Sequence, residues 1–147
     1  METQSESRYA FDVTVILPAL DEERTIAECI SKIQKVFYDN SINGEIIVAD
    51  SSSDQTSEIA VSLGATVIKP EKSGYGNAYL TGFRYARGQF IVMGDADNTY
   101  DFFEIPRLLE PLKNGADFVI GSRFKGTIHP GRWPRFTGTS AIRCSHG

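Results

Sequence analysis

The chain has 147 residues, of which 41% are hydrophobic and 23% are charged, which suits one domain with a buried core. Its formal net charge of −4 excludes the basic footprint of a nucleic-acid-binding protein. No apolar run approaches the roughly 18 residues of a membrane-spanning helix, and the polar start does not look like a signal peptide. The two cysteines, Cys29 and Cys144, have neither disulfide nor metal spacing, which fits a reducing, cytoplasmic compartment.

The first strand is predicted at Val13–Leu17, where a β-branched run is typical of a strand covered on both faces. Pro18 should end it, and Asp21 is then expected to cap a helix. The apolar positions of that helix recur at helical spacing: Ile26, Ile30, Ile33 and Phe37.

Further strands and helices alternate along the chain. Glu45–Ala49 is predicted as the second strand, and Ser53 is expected to cap a helix that Gly64 closes. Ala65–Ile68 is the predicted third strand. The glycine-rich segment Lys72–Gly76 then leads into a helix whose apolar side carries Tyr79, Phe83 and Ala86.

Two more strands frame the last predicted helix. Phe90–Met93 is a short apolar strand, and Pro106 suits the first turn of a helix that Asn114-Gly115 ends. Ala116–Ile120 is the predicted fifth strand. Strands that alternate with helices predict an α/β domain with a mostly parallel sheet.

The chain falls into three parts. We expect residues 1–11 to be a disordered lead, residues 12–126 the folded domain and residues 127–147 an irregular basic tail. No Asp or Glu follows Asp117, whereas five cations do: Arg123, Lys125, Arg132, Arg135 and Arg143. Such an end either meets an anionic partner, a phosphate or a lipid surface, or is simply solvated.

Polar residues follow four of the predicted strands, in the segments Asp21-Glu22, Asp50–Asp54, Asp95–Asp97 and Ser122-Arg123. Ligands of parallel sheets bind outside the carboxyl ends of the strands. The sequence therefore predicts a catalytic or nucleotide-binding crevice at this edge of the sheet.

Asp95 and Asp97 lie one residue apart at a strand end, where both can reach one hard cation. Mg²⁺ and Mn²⁺ take a few protein oxygens and complete their shell with water and substrate phosphates. An ordinary turn explains the same residues, because Asp and Asn are common turn formers.

Together these segments resemble family-2 glycosyltransferases of the GT-A fold, and among them the polyprenyl-phosphate (dolichol-phosphate) mannosyl- and glucosyltransferases. The resemblance rests on Pro18-Ala19-Leu20-Asp21-Glu22, Asp50-Ser51-Ser52-Ser53-Asp54-Gln55-Thr56, Asp95-Ala96-Asp97 and Gly121-Ser122-Arg123, which follow in the family's order. It implies a Rossmann-like three-layer α/β/α domain. It also implies inverting transfer of a sugar from a UDP- or GDP-linked donor, with Mg²⁺ or Mn²⁺, to an acceptor such as a polyprenyl phosphate.

The resemblance assigns the first two segments to the nucleotide. The pocket for the base and ribose would be shaped by Pro18, Ala19, Leu20, Asp21 and Glu22, although a strand stop and a helix cap explain them too. Asp21 stands where the family usually has Asn. Asp50 would accept a hydrogen bond from the base, with Ser52 beside it, the alternative being an Asx turn.

The later segments would meet the diphosphate and the metal. Lys72 and Gly76 would approach the donor diphosphate, unless their loop is a plain connection. Asp95, Ala96 and Asp97 would line the donor site, with both carboxylates as metal ligands and catalytic groups.

Arg123 would complete the catalytic set by gripping a phosphate, the alternative being a surface arginine after a strand. Thr99 stands where relatives often have a Gln beside the metal. A lipid-phosphate acceptor implies peripheral contact with the cytoplasmic membrane face. The oligomeric state stays open, a homo-oligomer included.

Two other functions compete with this interpretation. Asp95-Ala96-Asp97-Asn98-Thr99 also resembles the Asp-x-Asp-x-Thr signature of haloacid-dehalogenase-like phosphatases, where Asp95 would be the nucleophile. That class needs a later acidic pair for Mg²⁺, whereas no acid follows Asp117. The second alternative is a truncated nucleotide-sugar-binding module without turnover, because the chain is short for the family.

Overall fold

A computed structural model of the chain describes residues 8–97, 101–120 and 140–143. Its elements are β1 (Phe11–Ala19), α1 (Ile26–Asp39), β2 (Gly44–Asp50), α2 (Thr56–Ser62), β3 (Thr66–Ile68), α3 (Tyr75–Tyr85), β4 (Gly88–Met93), a 3₁₀ turn (Phe102–Glu104), α4 (Ile105–Lys113), β5 (Phe118–Ile120) and β6 (Ser140–Arg143). The strands form one sheet in the order β3-β2-β1-β4-β6-β5. Strands β1 to β4 are parallel and β6 is antiparallel to both neighbours, which confirms the predicted mostly parallel α/β sheet.

Each face of the sheet carries its own core. Val15 and Leu17 of β1 point into the larger core, which α1, α2 and α4 cover. Ile16 points the other way, into a smaller core under α3 with Tyr79 and Ile91. The two cores make the three-layer α/β/α arrangement that was predicted.

Helix spacing correctly predicted which residues are buried. Ile26, Ile30, Ile33 and Phe37 are all buried on the inner side of α1. On the other face, α3 approaches β1 closely at Gly82, where a Cβ atom would lie 2.6 Å from Cγ2 of Ile16. A larger residue at this position would push α3 away from the sheet.

The prediction that Pro18 ends the first strand is wrong. Strand β1 continues to Ala19, with Pro18 opposite Ala49 of β2. Pairing between β1 and β4 stops at Ile16, which lies opposite Met93. At Pro18, β1 no longer pairs with β4. The missing N–H of proline therefore breaks no hydrogen bond to β4, and a proline is tolerated there.

The two predicted helix caps are also wrong. Thr25, not Asp21, occupies the N-cap position of α1, and Asp21 has a left-handed backbone with φ of 52°. Ser53 does not cap α2. The backbone N–H of Thr56, the first residue of that helix, donates instead to Asp54 Oδ1 at 2.9 Å. Both predictions fail because the side chains of Asp21 and Ser53 bond to each other's loop and not to the start of a helix.

Both ends of the domain differ from the sequence prediction. Strand β1 starts at Phe11, inside the expected disordered lead. Ser140–Arg143 form strand β6, so the expected irregular tail is wrong for these residues. Ala141 is fully buried between Val92 and Val119 of the neighbouring strands. The rest of the lead and tail lies outside the described residues.

A buried polar cluster joins three strands at the amino-terminal edge of the sheet. Glu45 is only 8% exposed, and its Oε1 accepts hydrogen bonds from Thr14 Oγ1 and the Arg87 backbone N–H, both at 2.7 Å. Its Oε2 accepts from the guanidinium of Arg87 at 3.2 and 3.3 Å. Thr14 Oγ1 in turn accepts from the backbone N–H of Gly88 at 2.8 Å. The cluster therefore fixes β1, β2 and β4 to one another.

None of the helices in the part of the chain described here has both the length and the apolar character needed to cross a membrane.

Candidate functional site

The polar loops that follow β1, β2 and β4 meet at the carboxyl edge of the sheet. The backbone N–H of Ser51, after β2, donates to the carbonyl of Ala19 at 3.1 Å. The backbone N–H of Gly94, after β4, donates to the carbonyl of Ile16 at the same distance. The structure thus brings together three of the four segments that sequence reasoning selected.

The loops after β1 and β2 hold each other by reciprocal hydrogen bonds. The backbone N–H of Asp21 donates to Ser52 Oγ at 2.6 Å, and the backbone N–H of Ser53 donates to Asp21 Oδ1 at 3.0 Å. The backbone N–H of Glu22 donates to Thr56 Oγ1 at 3.0 Å. Asp is among the few non-glycine residues that tolerate the left-handed backbone found at position 21.

A second pair of bonds lies beside the first. The backbone N–H of Glu23 donates to Asp54 Oδ2 at 3.3 Å, and that of Gln55 donates to Glu23 Oε2 at 3.2 Å. Desolvation acts to raise the pKa of Asp54, but hydrogen bonds from the hydroxyl and backbone of Thr56 outweigh it and lower that pKa. Asp54 is therefore a carboxylate that joins the loops after β1 and β2 through hydrogen bonds.

Asp50 ends β2 and is only 4% exposed. Its Oδ1 accepts from the backbone N–H of Ser52 at 2.9 Å, and its Oδ2 accepts from the hydroxyl of Ser57. The first bond is the Asx turn that was one of the two predicted readings. Each carboxylate oxygen can accept from a second donor. The contact between Asp50 and a nucleotide base stays a prediction.

Asp95 and Asp97 lie in the turn after β4, each half-buried, on either side of the buried residue Ala96. The hydroxyl of Thr25 donates to the carbonyl of Ala96 at 2.6 Å. This bond ties the turn to the start of α1. Sequence reasoning did not single out Thr25, because the two residues are far apart in the chain.

Negative charge accumulates around these two carboxylates. Desolvation raises the pKa of Glu22 above its ordinary value, and the charges of Asp97 and Asp95 raise it further. The hydroxyl of Thr25, 3.3 Å from Glu22 Oε2, lowers that pKa and only partly offsets the rise. A bound cation would relieve this repulsion between carboxylates.

The donor set fits a hard divalent cation of the Mg²⁺ or Mn²⁺ type. Asp95 and Asp97 offer carboxylate oxygens, which are the ligands these ions prefer. Among the described residues no group of three or more His, Cys, Asp or Glu is arranged to hold a metal. An ion at these two carboxylates would therefore need water and substrate phosphates to complete its shell.

Two tyrosines of α3 also reach this turn. Tyr75 donates its hydroxyl hydrogen to Asp95 Oδ1 at 2.9 Å. Tyr79 donates to the carbonyl of Gly94 at 3.2 Å. The sequence predicted Tyr79 only as a core residue and gave Tyr75 no role, although Tyr75 directly follows the glycine-rich segment.

The other predicted residues that the structure describes lie around the same edge. Pro18 is half-buried, and Leu20 is exposed. Lys72 is exposed in the loop before α3, whereas Gly76 lies in the first turn of that helix. Arg123 lies outside the described residues.

Comparison with known proteins gives one consistent family. The family model for glycosyl transferase family 2 matches residues 14–145. The low-salt glycan biosynthesis hexosyltransferase Agl6 of Haloferax volcanii is 49% identical over 131 residues, covering 88% of this chain and 32% of that protein. The dolichol-phosphate mannosyltransferase of Pyrococcus furiosus is 34% identical over 128 residues, covering 83% of this chain and 36% of that protein. The chain therefore spans about a third of the length of these curated relatives.

A solved structure shares the fold. It is glucosyl-3-phosphoglycerate synthase from Mycobacterium tuberculosis, in complex with Mn²⁺, uridine-diphosphate-glucose and phosphoglyceric acid. The TM-score is 0.72 at 26% identity, with 91% of this chain and 57% of that chain covered. The GT-A architecture expected from the sequence is thus confirmed, and the comparisons give no support to the phosphatase alternative.

Proposed function

This chain belongs to glycosyl transferase family 2, and from that membership we propose that it binds a nucleotide sugar at the carboxyl edge of its sheet and transfers the sugar to an acceptor. The observation that carries the proposal is the convergence of three strand-end loops. They bring Asp50, Asp95 and Asp97 to one edge, with the loop contacts that fix them.

The nucleotide would occupy the two cross-bonded loops. Pro18, Ala19, Leu20, Asp21 and Glu22 would shape the pocket for the base and ribose, with Ser52 alongside. Asp50 would accept a hydrogen bond from the base through a lone pair that its local contacts leave available. Lys72 and Gly76 would lie near the diphosphate, where the start of α3 favours negative charge.

Asp95 and Asp97 would hold Mg²⁺ or Mn²⁺ next to the donor diphosphate. When bound, such an ion supplies positive charge that stabilises the departing nucleoside diphosphate. The pKa of Glu22 is raised mainly by desolvation and further by the charges of Asp97 and Asp95, and a cation among these carboxylates would offset the repulsion. The Mycobacterium tuberculosis neighbour was solved with both Mn²⁺ and a UDP-sugar, which supports a divalent ion in this fold.

The acceptor is proposed to be a polyprenyl phosphate. The support is the likeness to a dolichol-phosphate mannosyltransferase. A phosphate oxygen is already anionic near neutral pH, so its attack on the anomeric carbon needs no general base, and a single displacement inverts that carbon. Catalysis then consists of positioning and charge stabilisation, to which Arg123 would contribute.

Such an acceptor would place the protein at the cytoplasmic face of a membrane. Basic residues near an anionic surface contribute about 1 kcal/mol each to peripheral binding, and salt weakens that contribution. A second candidate function is nucleotide-sugar binding without transfer, because the loops that meet at this edge would contact the donor.

A panel of nucleotide sugars with and without Mn²⁺ tests the donor site. A ligand present at 100 times its Kd stabilises the native state by about 2.7 kcal/mol, which raises the melting temperature. We expect a UDP- or GDP-sugar to do so only with the metal. Transfer of radiolabelled sugar to polyprenyl phosphate, measured on the same preparation, separates the two functions. Binding with transfer supports the enzyme, binding alone supports the module, and neither would contradict the family-based proposal.

Replacing Asp50 by Asn should weaken nucleoside diphosphate binding by roughly 10-fold or more, because a charged hydrogen bond contributes about 1.5–3 kcal/mol. Binding of inorganic pyrophosphate should hardly change, since Asp50 would contact the base and not the phosphates. Asn keeps the shape and one acceptor oxygen for the local turn. Calorimetry with both ligands measures the effect, and Asp39→Asn, at the exposed end of α1, serves as control. Equal losses for both ligands would show that Asp50 has another role.

A further inference from the structure

The hydroxyls of Tyr75 and Tyr79 both reach from α3 to the turn after β4. Tyr79 is buried, and its hydroxyl donates to the Gly94 carbonyl at 3.2 Å. The hydroxyl of Tyr75 lies 3.2 Å from that of Tyr79 and donates to Asp95 Oδ1 at 2.9 Å. The rings meet edge to face with centroids 4.9 Å apart. Because each phenol has one hydrogen, these two donations leave none for a bond between the hydroxyls, and the ring contact is what joins the pair.

Core packing does not explain the position of Tyr75. Its side chain is 57% exposed, so burial contributes little to holding it there. The edge-to-face contact fixes one side of the ring, and the hydroxyl then meets Asp95. The residue is also the first of α3, directly after Gly74, whose φ of 121° turns the glycine-rich segment into the helix.

We propose that Tyr75 is a positioning residue for Asp95. Its hydroxyl holds Oδ1, and this fixes the carboxylate so that its remaining lone pairs serve the divalent ion of a nucleoside diphosphate complex. An ionised carboxylate has about four lone-pair sites, so the bond from Tyr75 restrains Asp95 without occupying all of them. The inference rests on the proposed function, because it assigns a role at the same metal site.

The contact acts through orientation. A hydrogen bond to the non-coordinating side of a ligand holds it in the binding geometry before the ion arrives, and loss of such a partner typically costs about 10- to 100-fold in metal affinity. The phenol adds no charge to a cluster already rich in carboxylates. Its removal therefore affects ion affinity and leaves the charge of the site unchanged.

The test compares two equivalent tyrosines of α3. Tyr75→Phe removes the hydroxyl and keeps the ring, whereas Tyr85→Phe makes the same change at the far end of the helix, where the side chain is also 57% exposed. Mn²⁺ binding is followed by electron paramagnetic resonance, with saturating UDP or GDP, on the full 147-residue chain. We expect Mn²⁺ affinity to fall about 10-fold or more in Tyr75→Phe and to stay unchanged in Tyr85→Phe.

Two further measurements separate positioning from a structural role. The melting temperatures of Tyr75→Phe and Tyr85→Phe without ligand should match that of the unsubstituted protein. Tyr79→Phe removes the anchor on Gly94 but leaves the hydroxyl on Asp95, so it should lose less affinity than Tyr75→Phe.

Several results would overturn the inference. They are unchanged Mn²⁺ affinity in Tyr75→Phe, equal losses in Tyr75→Phe and Tyr85→Phe, or a loss in Tyr79→Phe that equals or exceeds that of Tyr75→Phe. Failure of the unsubstituted protein to bind Mn²⁺ with either nucleotide would overturn the proposed function, and the inference with it.

Discussion

Replacing Asp97 by Asn is expected to abolish Mn²⁺-dependent binding of a nucleotide sugar while leaving the fold intact. Asp97 is one of two half-buried carboxylates in the turn after β4, and the amide has the same shape without the charge. Loss of a direct ligand should exceed the roughly 10- to 100-fold penalty of losing an outer-shell partner. Calorimetry of UDP- and GDP-sugar binding, with and without Mn²⁺, measures the loss.

The fold of this variant can be checked separately. The turn is tied to α1 through the backbone carbonyl of Ala96, which accepts from Thr25 at 2.6 Å and does not involve the Asp97 carboxylate. Since Asn also keeps the shape of the side chain and one acceptor oxygen, the melting temperature without ligand should change little. Asp39→Asn, on the exposed end of α1, is the matched control for a lost carboxylate. Unchanged Mn²⁺-dependent affinity in a folded Asp97→Asn protein would refute the metal assignment.

Replacing Glu45 by Ala should lower the unfolding free energy by about 1–3 kcal/mol for each donor that is left without its acceptor. The change would leave the hydroxyl of Thr14 and the backbone N–H of Arg87 without their acceptor at 2.7 Å. It would also break the contact that joins the starts of β1, β2 and β4. Urea denaturation followed by circular dichroism measures the loss.

Two variants test the reason for this loss. Glu45→Gln keeps one acceptor oxygen and should be less damaging than Glu45→Ala. Glu28→Ala removes an exposed ion pair with Lys32 on α1, at 3.0 Å, and such surface pairs contribute about 0–1 kcal/mol. If Glu45→Ala cost no more than Glu28→Ala, the buried polar cluster would not be what fixes β1, β2 and β4 to one another.

The sequence predicted most of the fold because the signals involved are local. Helical spacing identified the buried face of α1, and apolar runs identified β1 and β4. Strand β6 gave no such signal. It is four residues long, and its pairing depends on β4 and β5, which are distant in the chain.

Competing contacts explain the wrong helix caps. Asp21 and Ser53 are good cap residues by type, but each bonds to the other loop, with the Ser53 N–H on Asp21 Oδ1 at 3.0 Å. Side chains of this kind can bond to either a helix start or another loop. Sequence reasoning sees only the first option.

In the candidate site, the sequence likewise identified the residues but not the contacts between them. Its members could be selected from sequence, because Asp50, Asp95 and Asp97 each follow a strand. The contacts that orient them could not. Tyr75 on Asp95 and Thr25 on Ala96 join residues that only the folded chain brings together.

The place of β6 in the sheet also sets an order of assembly. Strands β1 to β4 come from one continuous stretch, Phe11–Met93, and can pair as soon as that stretch has left the ribosome. Strand β5 comes next, yet within the described sheet its neighbour is β6, which is made later. Until Ser140–Arg143 have been made, β5 and the outer edge of β4 therefore have no native partner strand within the described sheet. The pairing of β6 with β4 joins residues as distant in the chain as Phe90 and Arg143, and non-local pairings of this kind are intrinsically slow. During synthesis the edge of β4 is then the surface on which a chaperone, or a second nascent chain, would find a free strand to pair with.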